Sequence, residues 1–332
     1  MQDTLEHSLS GSRNTENAAD HMSVEQEATR DEQFWFRDGN VVLQAGGVAF
    51  RVYQGTLSQN SEVFDGLFSV PQPVIADTFD GCPVIQLEDR PDDLRHLLRA
   101  LFVGQRFYRH DEQLPFTVVA SIVRLAHKYG MEHLRDDALE RMKSCFSDDL
   151  DVWSEADVGM GSASMSYVDT DAIAAVSIAR LTDTYSMLPS ALYTCCQLDT
   201  EEIVNGVTRE DGTTERLTQE DMLRCLNARR TLLHDNIVSA YTLFTTTPHG
   251  CTRHSDCELM RRNLADTHIT FDTDGVEDYA YLADWDPYFR NKELSGSYHS
   301  LCPNCQAAIL EHARELRLAA WTSLSKTLNL IA

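Results

Sequence analysis

The chain predicts an α+β fold, a small sheet with helices followed by a mostly helical C-terminal domain. Three observations carry that prediction. The segment VAFRV at 48–52 alternates in the strand manner, leucine-rich segments after residue 90 repeat at helical spacing, and the first half reads strand, strand, helix, strand, helix, helix, helix. That order does not alternate as a doubly wound nucleotide-binding sheet does, and no G-x-x-x-x-G-K loop is present. At 332 residues and 42% hydrophobic content, the chain is long enough for two domains with a substantial core.

The elements follow in order. Residues 1–33 are polar, hold eight acids against two bases and lack sustained periodicity, so they predict a disordered acidic tail. Asn40 to Leu43 is a short apolar run, Gly46-Gly47 supplies a turn, and Val48, Phe50 and Val52 share one face, which together make a hairpin. Ser61 caps a helix carrying Val63, Phe64, Leu67 and Phe68. The strand PVIQL ends at Leu87, and Leu94, Leu97, Leu98, Leu101 and Phe102 form a helical stripe closed by Gly104. Two helices complete the unit, one from about Pro115 through Val119, Ile122 and Ala126 to Gly130, the other through Leu134, Ala138, Met142 and Cys145.

Residues 147–171 contain seven acids, no base and a Gly/Ser run, and predict an acidic linker or mobile loop. The remainder, 172–332, reads as helices. A pair breaks at Pro189, and Thr218 caps a long helix with Met222, Leu226, Leu233, Ile237, Tyr241 and Phe244 inward. A final helix starts at Pro303 with a stripe of Ile309, Ala313, Leu316, Ala320 and Leu324.

Composition narrows the function. A net charge of −24 argues against nucleic acid as the main partner, and the pairs Arg229-Arg230 and Arg261-Arg262 read as solvated helix faces. The first thirty residues carry charges throughout, no segment has the apolar length of a membrane span, and nine cysteines suit a reducing compartment. The expectation is an intracellular protein, cytoplasmic or nuclear, without a membrane partner. The zinc-hydrolase, serine-hydrolase and deaminase signatures do not occur, and His96, His127 and His133 sit in helices as structural residues. Cys82, Cys145, Cys195, Cys196 and Cys225 lie among apolar residues as small hydrophobes.

The stretch DGNVVLQAGGVAFRVYQGTLSQNSEVFDGLF and the later PVIQLEDRPDDLRHLLRALFVG resemble a BTB/POZ domain over residues 34–146. The resemblance rests on the hairpin ending in F-x-V, the L-S-x-x-S-x-V-F-x-x-L-F helices, and the V-I-x-L-x-D strand before a leucine-rich helix. The chain also resembles the expanded BTB group of mushroom-forming fungi, whose C-P-x-C and Trp-bearing final helix are matched by Cys302, Pro303, Cys305 and Trp321. The resemblance implies a non-enzymatic protein-binding role, by dimerisation or partner docking, and in its sharpest form an adaptor for a cullin-type ubiquitin ligase. Asn40, Tyr53 and Gln54 stand where the family usually has an Asp and a His-basic pair, so the pocket near the dimer seam is expected to be neutral. The aromatic run FWFR at 34–37 reads as a patch that a second copy covers, which predicts a homodimer.

One motif stays outside that resemblance's role. HGCTRHSDC holds Cys251 and Cys257 as C-x5-C, and after forty-four intervening residues comes the pair Cys302 and Cys305 of CPNC. Four thiolates match the tetrahedral preference of zinc, and one ion closing both segments would stabilise a hydrophilic loop. The expected role is structural. His249, His254 and His299 are substitutes, with His254 first because it lies inside the upstream pair. The alternatives are four unligated thiols, or a thiol oxidoreductase using Cys302 and Cys305, in which the helix N-terminus lowers the first thiol's pKa. The polar, turn-rich stretch before CPNC does not supply the strand that such redox units place there.

Overall fold

The computed structural model describes residues 28–70, 78–104, 112–209, 212–266, 282, 284–291 and 295–330. It is mixed, with one five-stranded sheet and a larger helical part. The sheet holds β1 (Thr29–Trp35), β2 (Val41–Ala45), β3 (Val48–Val52), β4 (Thr78–Phe79) and β5 (Cys82–Leu87) in the order β1-β3-β2-β5-β4. β2 and β3 make the expected antiparallel hairpin, while β1 runs parallel to β3 and β5 parallel to β2. The turn needs glycine: Gly46 and Gly47 have φ of 51° and 80°, and a Cβ on Gly46 would lie 2.9 Å from the Pro91 ring.

Helices α1 (Gln54–Asn60), α2 (Glu62–Ser69) and α3 (Pro91–Val103) cover the sheet. Ser61 caps α2 as its sequence predicts, accepting from the Phe64 N–H at 3.0 Å. Phe50, Val52, Leu57, Phe64, Leu94, Leu97 and Leu98 form the core between the layers.

The expected tail is too long. Residues 1–27 lie outside the described residues, but Thr29 to Gln33 belong to β1. The polar composition hid this strand because two of its three charges, Arg30 and Asp31, are paired within the fold. Asp31 accepts from the N–H groups of Gln33 and Phe34 at 2.9 and 2.8 Å and binds Arg95 at 2.8 Å.

The aromatic patch is also corrected: Phe34 is buried, and the rings of Phe34, Phe36, Tyr53 and Phe102 pack on one another within the chain. At the start of the hairpin, Asn40 accepts from the Gln54 N–H and the Tyr53 hydroxyl donates to the Asp38 carboxylate at 2.7 Å, so one carboxylate stands beside the three uncharged residues.

Helices α4 (Phe116–Lys128) and α5 (Glu132–Lys143) follow β6 (Leu114–Pro115). α4 is apolar on two faces. Leu125 and Ala126 enter the sheet core, whereas Phe116, Val119, Ala120, Ile122 and Val123 enter the helical core. The boundary expected at residue 146 is therefore bridged by a shared helix.

Residues 147–171, expected as a linker or mobile loop, form α6 (Leu150–Gly159) and β7 (Met165–Ser166), the latter parallel to β6. Asp149 caps α6 by accepting from Asp151 and Val152 N–H groups at 2.9 and 3.1 Å. The acids lie mostly outward, while Trp153, Ala156, Met165 and Tyr167 are buried. Four well-spaced apolar groups outweigh the acidic composition by anchoring the segment to the core.

The helical part continues with α7 (Asp171–Leu181), α8 (Leu188–Gln197), α9 (Thr200–Asn205), the hairpin of β8 (Val207–Thr208) and β9 (Thr214–Glu215), α10 (Gln219–Thr245) and α11 (His254–Asp266). The break after α7 precedes Pro189, with Asp183 at φ 54°; Pro189 sits in the first turn of α8, where its missing N–H has no intrahelical partner to lose. In α10 the buried row is Cys225, Ala228, Leu232, Ala240, Leu243 and Phe244. Phe244 is buried as expected, but Tyr241 faces out and Met222, Leu226, Leu233 and Ile237 are only partly buried, so most of the contact stripe lies one residue round the helix. Among the described residues, no helix is long and apolar enough to cross a membrane.

Candidate metal centre

α10 runs from the main helical core into a second core at its C-terminal end, where α12 (Trp285–Arg290), α13 (Gly296–His299) and the final helix α14 (Pro303–Thr327) meet α11. α14 bridges the same two cores in reverse, placing Ile309 and Ala313 in the second and Ala320 and Leu324 in the first. The four candidate cysteines lie in that second core.

Each thiol is placed by a local rule. Cys251 follows Gly250, whose φ of 81° turns the chain out of the α10 loop. Cys257 lies in the first turn of α11, its N–H donating to the Arg253 carbonyl at 2.8 Å. Cys302 is the N-cap of α14, Pro303 starts the helix, and Cys305 is its third residue. The four sulfurs all lie within 4.8 Å of one another, and all four residues are buried. This is the group expected from the two local pairs, and it can hold a metal ion. His249 and His254 are exposed, and none of the three candidate histidines belongs to the group. The His299 Nε2 is buried without a hydrogen-bond partner.

The site is lashed by residues that carry no metal signal in the sequence. Asn304 donates to the Gly250 carbonyl at 2.7 Å, and Arg253 donates to the Ser300 carbonyl at 2.7 Å. Arg261 is buried and donates to the Thr246 carbonyl at 3.1 Å and the Thr247 hydroxyl at 3.0 Å. The reading of its dipeptide as a solvated face holds for Arg262 but not for Arg261. Arg229 behaves likewise, turning inward to the Cys196 carbonyl at 2.9 Å. In each case one arginine of the pair falls on the buried side of its helix, which a charge pattern alone does not reveal.

The sulfurs are electrostatically unequal. Backbone N–H groups of Thr252 and Cys305 aimed at Cys302 lower its thiol to about 5. Burial pushes the Cys257 and Cys305 thiols up. Donors aimed at a sulfur stabilise its anionic form, which is the form a metal binds. With four buried sulfurs closing on one point, the arrangement suits a closed coordination set.

The other five cysteines, Cys82, Cys145, Cys195, Cys196 and Cys225, are buried among apolar residues, as expected. Comparison of the chain with protein-family models, curated proteins and solved structures gives no significant match.

Proposed function

We propose that this chain is a non-enzymatic interaction protein, in which a BTB/POZ domain at 34–146 self-associates or docks a partner and a zinc-stapled helical domain carries further binding surface. The observation that carries this reading is the arrangement of residues 41–103: a β2–β3 hairpin, two short helices, β5 beside β2, and a leucine-rich helix. The order of these elements is the one expected from the sequence, and it supports the reading. In its sharpest form the protein is an adaptor for a cullin-type ubiquitin ligase of a fungal cell. Affinity purification from a fungal lysate tests this form: recovery of a cullin supports it, and other stable partners without a cullin remove it.

The thiol set is read as a structural zinc clip. Zinc–thiolate bonds of about 2.3 Å give a tetrahedron with sulfur–sulfur edges of about 3.8 Å. Sulfurs gathered within 4.8 Å need only a small contraction to reach it. No coordination position is left for substrate, so the ion's role is to join α11 to the start of α14.

Homodimerisation stays part of the proposal, but FWFR no longer supplies its seam. Val63 and Leu67 of α2, with Val70 just past its end, are exposed and offer an alternative. Light scattering at micromolar concentration is expected to give a dimer mass, and a monomer mass would remove the dimer.

The lowered Cys302 thiol at a helix N-terminus is the observation that favours the second reading, a thiol oxidoreductase using Cys302 and Cys305. Against it, Cys251 and Cys257 close round the pair and all four sulfurs are buried. Bound stoichiometric metal separates the two readings.

A further inference from the structure

A groove of about 1020 Å³ lies where the sheet part meets the helical part, with one face of α4 as its floor. Thr117, Ala120, Ser121, Arg124, Leu125 and Lys128 line it at helical spacing, so it runs most of the length of that helix. The start of α3 contributes one wall, and the start of α7 with the β8–β9 hairpin contributes a second.

The charges in this groove are ordered in depth. The Lys128 side chain is 48% exposed while that of its partner Asp89 is 7% exposed, and Arg124 is 36% exposed against 15% for Glu215. In both pairs the base is the outer member. The carboxylates are also spent as acceptors. Asp89 accepts from Lys128 at 2.5 Å and from the Tyr129 hydroxyl, and the two oxygens of Glu215 accept from Arg124 at 2.7 and 2.8 Å. One oxygen of Asp171 pairs with Arg209 at 3.2 Å and the other accepts from the Val168 N–H at 3.0 Å. At the start of α3, Asp92 and Asp93 are held by Arg95 and the Ser121 hydroxyl. Donors are in surplus, since an ammonium carries three N–H groups and a guanidinium five.

We propose that this groove binds an acidic, extended segment of a partner protein, whose carboxylates meet Arg124, Lys128 and Arg209 while the side chains between them cover Val168 and Val207. Spacing and charge select this occupant. Arg124 and Lys128 stand about 6 Å apart along the helix axis, close to the ~6.7 Å between alternate residues of an extended chain. Arg209 lies over the Phe116 ring, its guanidinium carbon 5.8 Å from the ring centre, at the other end of α4. The three bases thus mark about 18 Å of groove, a length that an extended segment of about six residues spans and a small anion does not. A basic segment would meet outward bases and occupied acceptors. The net charge of −24 opposes the ligand only weakly, because distant charges are screened beyond about 8 Å at physiological salt. The inference is independent of the metal clip and of the cullin.

The test uses the full-length protein and a fluorescent peptide of about ten residues with Glu at alternate positions, titrated at ~50 and ~150 mM salt. Controls replace its Glu by Gln or by Lys. Only the Glu peptide is expected to bind, with a Kd of about 100 µM or tighter and weaker at the higher salt. Lys128→Gln, on a half-exposed side chain, should weaken it about fivefold. Arg124→Glu with Glu215→Arg keeps an ion pair but turns its carboxylate outward, and should weaken binding about tenfold. Arg314→Gln with Lys326→Gln, on exposed bases of α14, is expected to leave affinity unchanged. Hydrogen exchange should show protection in α4 and the β8–β9 hairpin, and circular dichroism checks that each variant folds. Four outcomes overturn the proposal: no binding at about 1 mM Glu peptide, equal binding of the Gln or Lys peptide, weakening by the Arg314 and Lys326 substitutions as large as by Lys128→Gln, or protection confined to other segments.

Discussion

The backbone N–H of Cys302 points at the sulfur of Cys257, 3.3 Å away. It ties the N-cap of α14 to the first turn of α11 across forty-four intervening residues, and it helps one sulfur carry the charge that a metal requires. Replacing either member of CPNC should therefore lose the ion and loosen the second core. For Cys302→Ser or Cys305→Ser we expect metal content to fall to background and Tm to drop by about 10 °C, read by elemental analysis and calorimetry on the same sample.

Arg261 separates packing from ligation. It is buried, and its bonds to Thr246 and Thr247 hold the loop that delivers Cys251. Arg261→Ala is expected to cost about 1–3 kcal/mol, seen as a lower Tm, while the purified protein still binds metal. Loss of the metal together with the loop would make Arg261 part of the site's assembly rather than its support.

The contact between Trp321 and Trp153, with ring centroids 5.2 Å apart, anchors α6 to α14, and the Trp321 indole N–H donates to the Asp148 carbonyl at 3.1 Å. Trp321→Ala should cost about 2–4 kcal/mol and raise hydrogen exchange in residues 150–159 above that in the sheet. Unchanged exchange there would mean that Trp153 holds α6 without help from the C-terminal helix.

Asp157 yields a pH prediction. Burial, then the charge of Asp169, raises its carboxyl above the ordinary value of 3.8, despite the opposing pull of Arg317. The native state then holds the proton more tightly than the unfolded state, so this group's contribution to stability falls as pH rises from about 3.8 through the raised native pKa. Asp157→Asn removes that cost. Its Tm should exceed wild type by a degree or two at about pH 7 and match it at about pH 3, as thermal scans across that range will show.

How much was legible in the sequence follows from where the information was local. The β2–β3 hairpin, the Ser61 and Thr218 caps and the CPNC helix start depend on residues within a few positions of one another, and each stands where local chemistry puts it. The two thiol pairs were equally legible, because each pair sits within its own short segment. Non-local compensation was not legible. β1 forms because Arg95, sixty-four residues away, neutralises Asp31, and α6 folds because Trp153 reaches Tyr193 and Trp321. In both segments composition suggested disorder, while a few distant partners decided the outcome. The burial of Arg229 and Arg261 has the same origin, since charge pairs give no sign of which residue faces inward.

The most direct test is the metal content of purified, tag-free protein, measured by mass spectrometry under native conditions and by elemental analysis. The account predicts about one zinc per chain, released by acid as the thiolates protonate, and absent from both Cys302→Ser and Cys305→Ser, whose Tm falls. Protein that folds without stoichiometric metal, with both substitutions thermally silent, would contradict it and leave four buried thiols with no ion to hold.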